Sequence, residues 1–224
     1  TGMQYLRSPG VHGLDPDPYG LRRFAASRHG RAIRPRFTWP YDRPSVALLR
    51  AQRDHLAQVH GLATRRLRGR ALGLCSAPGG GFQVETDRGS LRARRVVLAL
   101  GVSEQPAWPP FAEALRVSCP DRIDHLFQPQ GFDLAYAAAS APLVVVGGGI
   151  SAAQAALALA ALRPGQVTLL SRHPPRVHQF DSDPGWLGKH LPGFAALRDP
   201  AARRAALTAA RHRGSVPPDV ARTL

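Results

Sequence analysis

Sulfur is scarce in this sequence, with two cysteines and one methionine among 224 residues. Cys75 and Cys119 have neither C-x-x-C nor metal-ligand spacing, which argues against a dithiol–disulfide reductase and predicts thiols that are reduced, buried or inert. Lysine is nearly missing as well: Lys189 stands alone among 30 basic residues, while acids number 15, for a formal net charge of +15. Such a balance raises the question of nucleic acid. The arginines are scattered, however, and no basic helix or aromatic stacking run accompanies them, so nucleic acid is not an expected partner. The joint abundance of Ala, Gly, Pro and Arg reads as a base-composition bias acting on codons. The histidines are also scattered and lack the local spacing of a metal site. No apolar run is long enough to cross a bilayer and no signal-peptide pattern occurs, so a soluble cytoplasmic protein without a membrane partner is expected.

What is present is organised around residues 142–162. Residues 142–146 form an apolar run rich in β-branched Val, as expected of a strand buried on both faces. It ends in Gly147, Gly148, Gly149, Ile150, Ser151 and Ala152, which fit G-x-G-x-x-A, and passes into an Ala/Leu helix without Pro or Gly before Pro164. Gly147 permits the tight strand-to-helix turn, Gly149 lets backbone approach a pyrophosphate, and Ala152 keeps the helix close to the strand. The free N–H groups and the dipole at the helix start then favour an anion. Gln154, in the first helical turn, either reaches the pyrophosphate or is solvated. A second strand at 166–170 follows, which makes the unit a dinucleotide site; the alternative is a structural turn. An NAD or FAD site usually places an acid at the tip of that second strand. Here Ser171, Arg172 and His173 stand there, so a 2′-phosphate and hence NADPH is expected, the alternative being that Arg172 is one more solvated arginine.

The rest of the chain divides by turn signals. Residues 19–27 read as a short helix and 44–59 as an amphipathic one, with Val46, Leu49, Leu56 and Val59 on its apolar face and Ser45 as its cap. Runs at 65–76, 82–86 and 91–94, separated by Pro78–Gly81 and Asp87–Gly89 turns, predict a small antiparallel meander. Residues 95–100, RVVLAL, form another candidate buried strand. A Pro-broken linker with a short helix follows at 107–123, and a helix is expected over 195–212, with no strand after it. Asp181 and Asp183 either pair as acids or cap a turn.

Several stretches, in order, resemble the flavoproteins with two dinucleotide-binding domains, in particular the flavin-dependent N-hydroxylating monooxygenases acting on lysine or ornithine and the wider flavin-containing monooxygenases. Residues 95–106, ending a strand in Ala99, Leu100 and Gly101 before Pro106, are similar to the segment where such enzymes cross between FAD and NADPH domains. Residues 2–9, with Met3, Gln4 and L-R-S-P, are similar to segments near the flavin. Asp124 and His125 are similar to the His after the crossover, His125 lying near the cofactor or serving a structural role. Residues 180–187 take the place of an acidic-aromatic loop. The resemblance implies an α/β fold, three-layer and Rossmann-like, with the β-meander. It implies a partial FAD-type domain at 1–110, a crossover linker at 111–140 and an NADPH-binding domain at 141–224. It also implies oxidation of a small amine-type or other nucleophilic substrate. The family carries a separate G-x-G-x-x-G for FAD, whereas this chain has one such turn, so FAD is expected to be held poorly and the chain to be a fragment or a naturally shortened relative. The alternative is a non-catalytic NADP(H)-binding module.

Overall fold

The computed structural model describes residues 3–101, 106–128, 131–139 and 142–224. The expected domain boundary at 141 and part of the crossover segment (102–105) lie outside the described residues. The architecture is α/β. In chain order it runs α1 (Gly20–Ala26), β1 (Phe37–Thr38), β2 (Arg43–Pro44), α2 (Val46–Val59), β3 (Ala71–Ser76), β4 (Phe82–Thr86) and β5 (Gly89–Ala93). It continues with α3 (Pro110–Ser118), α4 (Leu134–Ala139), β6 (Leu143–Val146), α5 (Ile150–Leu162), β7 (Val167–Leu170) and β8 (Arg176–Val177). The last elements are α6 (Leu191–Ala196), α7 (Pro200–Ala210), β9 (Ser215–Val216) and α8 (Pro218–Thr223).

β6 and β7 pair in parallel, Leu143 opposite Val167 through Val146 opposite Leu170. One face of this pair is covered. Leu143, Val145 and Val167 pack with Leu159 of α5 and with Ala137 and Ala138 of α4. α5 buries Ala153, Ala155 and Ala156 beside Leu159, and these small side chains let the helix axis come close to the sheet. The other face is bare: Val144 is 63% exposed and Val146 53%. The expectation that the 142–146 run is buried on both faces is therefore corrected. A β-branched apolar run satisfies either environment, and only the placement of other elements decides between them.

The meander forms as expected. β4 pairs with β3 and β5 antiparallel, with a register shift between Ala71 and Gly73. Residues 95–100 are a second correction: they form no strand, and Val97 is 89% exposed. Strand propensity needs a partner for its N–H and C=O groups, and none of the described strands pairs with this run.

Near the N-terminus α2 starts where its cap predicts, with Ser45 Oγ accepting from the Leu48 N–H at 3.0 Å. A cap of this kind stabilises by about 1 kcal/mol. Of the expected apolar face, Val46, Leu49 and Leu56 are half-buried and Val59 is exposed, while Leu48 and Gln52 are the fully buried residues of the helix. Leu48 joins Leu21, Phe24 and Ala25 of α1 in a small core, with Leu49 packed against it. The expected helix over 195–212 is two helices, because Leu197 is extended and Asp199 caps a fresh start at Pro200, accepting from Ala201 and Ala202 N–H. A terminal strand also exists, β9, which pairs with β8 in parallel. Of the expected reduced, buried or inert cysteines, both are free thiols and both are exposed, which corrects the burial alone.

The two ends of the chain interlock. Gln4 carbonyl accepts from the Val46 N–H, and the Leu6 N–H donates to Pro44 carbonyl, lacing the 3–9 segment to β2 and α2. Arg7 then reaches across to the carbonyls of His178 (2.6 Å), Gln179 (3.1 Å) and Ser215 (3.2 Å) and to Ser215 Oγ (2.9 Å). Burial pushes the Arg7 guanidinium below its ordinary value, with Asp181 opposing that shift and Arg43 adding to it. Arg43, almost wholly buried, donates to Asp219 of α8 at 2.5 Å.

Candidate functional site

The turn between β6 and α5 is built as a cradle. Gly147 takes φ +148°, and a Cβ there would meet the Ala152 Cβ at 2.9 Å. Glycine at 147 is thus required twice, by conformation and by the approach of the helix. The Gly147 N–H donates to the Leu170 carbonyl, which ties the turn to β7. Gly149 is the N-cap of α5, with an ordinary φ of −104° and no side-chain cap bond. The N–H groups of the first helical turn are accordingly left for another acceptor. A Cβ on Gly149 would meet only the Gly214 Cα, at 3.6 Å, an ordinary contact. The fold demands glycine at 147 but accepts alanine at 149.

Ser171 and Arg172 follow β7 and are exposed. The Ser171 hydroxyl donates to the His173 carbonyl at 2.7 Å, closing a local turn, so it must change partner to donate to a phosphate. Ser171 Cβ is 3.6 Å from the position of a Gly148 Cβ, which puts the strand tip beside the glycine turn. Gln154 is half-buried on α5.

The other expected site residues stand apart in the bonding pattern. Met3 and Gln4 run alongside the start of α2, where the backbone of Gln4 bonds Val46. Leu100 is 80% exposed, and Gly101 beside it has φ +65°. His125 lies in an aromatic group with Trp108 and Phe127, its ring 5.0 Å from the indole. Burial lowers its pKa, and its Nδ1 accepts from the Phe127 N–H. Asp183 caps the short 3-10 turn at Pro184–Leu187 by accepting from the Gly185 N–H at 2.6 Å. Asp181 pairs with Arg211 at 3.1 Å. The two acids therefore take separate partners rather than each other. Among the described residues no group of three or more His, Cys, Asp or Glu is placed to hold a metal ion. No helix among them is long and apolar enough to cross a membrane.

Two residues outside the G-x-G-x-x-A pattern reach the turn. The His173 ring lies over Gly148, with Cε1 3.4 Å and Nε2 3.8 Å from the position of a Gly148 Cβ. Gly214, at φ +67°, lies against Gly149 and 3.9 Å, measured from its would-be Cβ, from His173 Nε2. His173 was legible only as a residue near the strand tip. Gly214, 65 positions beyond Gly149 in the chain, carried no local signal at all.

Comparison with known proteins gives one family. Its model, described as pyridine nucleotide-disulphide oxidoreductase, matches residues 75–187, from the meander through the glycine turn and past β7. No curated protein and no solved structure matches the chain. The family is one of flavin- and pyridine-nucleotide-dependent oxidoreductases, and a parallel strand–glycine–helix–strand unit is what a pyridine nucleotide requires. Because the match spans just over half of the chain and encloses that unit, the protein belongs to the pyridine nucleotide-disulphide oxidoreductase family.

Proposed function

We propose that the chain binds NADPH at the Gly147–Ala152 turn and serves an FAD- and NADPH-dependent oxidoreductase of the N-hydroxylating monooxygenase type. One observation carries the nucleotide part. The fold requires glycine at 147, while Gly149 meets ordinary contacts and an ordinary φ, so its missing side chain serves something outside the fold. A pyrophosphate approaching the backbone at the start of α5 supplies that reason.

In this reading the Ile150, Ser151 and Ala152 N–H groups donate to the pyrophosphate oxygens, and Arg172 forks onto the 2′-phosphate. Bound NADPH supplies a hydride to a flavin. The chain's own part is to fix the dinucleotide by its phosphates and so orient the nicotinamide. A second dinucleotide, FAD, needs a phosphate turn of its own. Gly147–Ala152 is the sole strand–glycine–helix turn of this type among the described residues, so they fit one dinucleotide and not two. The same observation favours a second reading, an NADP(H)-binding module without catalysis. NADPH oxidation with peroxide release on adding FAD supports the oxidoreductase, and NADPH binding with no oxidation supports the module. The absence of C-x-x-C speaks against dithiol–disulfide exchange in either case.

Two substitutions test the nucleotide reading. Gly149→Ala should cost no more than about 1 kcal/mol, the value of an alanine N-cap, and weaken NADPH and NADH alike. Arg172→Ala should weaken NADPH by about tenfold to 150-fold, the value of a hydrogen bond to a charged group, and leave NADH nearly unchanged. Equal losses for both nucleotides would assign Arg172 to the loop rather than the phosphate.

A further inference from the structure

Resting on the dinucleotide reading above, we propose that His173 is a pyrophosphate ligand, reaching the anion beside the Gly148 backbone, with Gly214 of the 211–214 turn as the second wall. The ring is already oriented for this. His173 Nδ1 lies 2.8 Å from the Pro174 carbonyl, which only accepts, so Nδ1 carries the proton of that bond. That leaves Nε2 as the free nitrogen, and it faces the gap between Gly148 and Gly214. Both flanking residues are glycines, so no side chain stands between Nε2 and an anion seated on the turn.

With Nδ1 donating to Pro174, Nε2 donates to a phosphate oxygen only in the imidazolium form, where both nitrogens carry hydrogen. Binding of the anion is then linked to protonation of the ring. The charges around it favour an anion and, until one is bound, oppose protonation of the ring. Arg172 and Arg176 lie on its own stretch, and Arg211, His212 and Arg213 lie on the turn that brings Gly214 against it. Of these, Arg211 is paired with Asp181. The glycine turn itself, from Gly147 to Ser151, has no titratable side chain. His173 therefore has a role different from that of Arg172: it acts on the pyrophosphate that NADPH and NADH share, and Arg172 on the phosphate that NADPH alone has.

The test titrates NADPH and NADH against wild type, His173→Ala, His173→Gln and Gly149→Ala, each checked for folding by circular dichroism. His173→Ala should weaken both nucleotides by the same factor, about tenfold to a hundredfold for a bond to a charged group. Wild type should bind both more tightly at about pH 6 than at about pH 8, the range over which histidine changes charge, and His173→Ala should lose that difference. His173→Gln, which keeps an N–H near Nε2, should recover part of the affinity without the pH dependence. A loss confined to NADPH would move His173 to the 2′-phosphate and overturn the proposal. Unchanged affinity in His173→Ala, with Gly149→Ala impaired, would overturn it while leaving the dinucleotide reading standing. Failure of wild type to bind either nucleotide would overturn both.

Discussion

Gly147→Ala tests the glycine that the fold itself requires in the β6–α5 turn. The substitution adds one methyl at φ +148°, and that methyl lands 2.9 Å from the Ala152 Cβ. A non-glycine residue in a sparsely populated backbone region costs on the order of 1–3 kcal/mol. Forcing an extra methyl into a packed contact costs about 1–3 kcal/mol more. Ala152 cannot swing aside, because its Cβ is fixed to the α5 backbone. A combined loss of roughly 2–6 kcal/mol is expected, which for a chain of this size lowers Tm by roughly 5–25 °C. The two causes separate in a double-mutant cycle. Ala152→Gly alone should cost about 1 kcal/mol in helix propensity. In the Gly147→Ala background it removes the colliding methyl and should return part of the loss, with a coupling of roughly 1–3 kcal/mol, leaving the backbone strain in place. Urea denaturation followed by circular dichroism reads all four corners. A Gly147→Ala protein within about 0.5 kcal/mol of wild type, the range of ordinary surface changes, would refute the account, as would strict additivity.

The buried pair between β2 and α8 gives an asymmetric prediction. Arg43 is 2% exposed at its side chain and Asp219 34%, so Asp219→Asn strands a wholly buried cation, whereas Arg43→Met strands a carboxylate on a half-buried side chain, although its Oδ1 is itself enclosed. Asp219→Asn should cost more in chemical denaturation, near the 3–5 kcal/mol typical of breaking a buried pair, and Arg43→Met should cost less than about 3 kcal/mol. Equal losses would contradict this. At the aromatic group around Trp108, burial holds His125 below the ordinary histidine value of 6.5, and neutral Nδ1 accepts from Phe127. The unfolded chain takes up the proton first as pH falls, so the local structure is fully stable above about 6.5 and loses stability below it, down to the lower folded value. Trp108 fluorescence should therefore change on acidification, and the change should vanish in His125→Phe. A titration unaltered by that substitution would rule His125 out.

The readings that came straight from the sequence rest on contacts a few residues apart. The meander turns, the Ser45 cap and the Gly147–Ala152 turn each close on near neighbours, so composition and spacing suffice to predict them. Residues 95–100 show where this stops: their Val and Leu content suits a strand, yet β-structure exists only where another strand supplies hydrogen bonds. The same holds for the bare Val144–Val146 face, whose burial depends on elements elsewhere in the fold. Arg7 and Arg43 read as two of many arginines until the ends of the chain meet and give each a buried acceptor. At the candidate site, the glycine turn was legible because its glycines are adjacent. His173 was placed at the neighbouring strand tip by spacing, and the fold adds that its ring lies over Gly148. Gly214 reaches the turn by tertiary approach alone, since backbone distant in sequence leaves no periodic or spacing signal where it comes to rest.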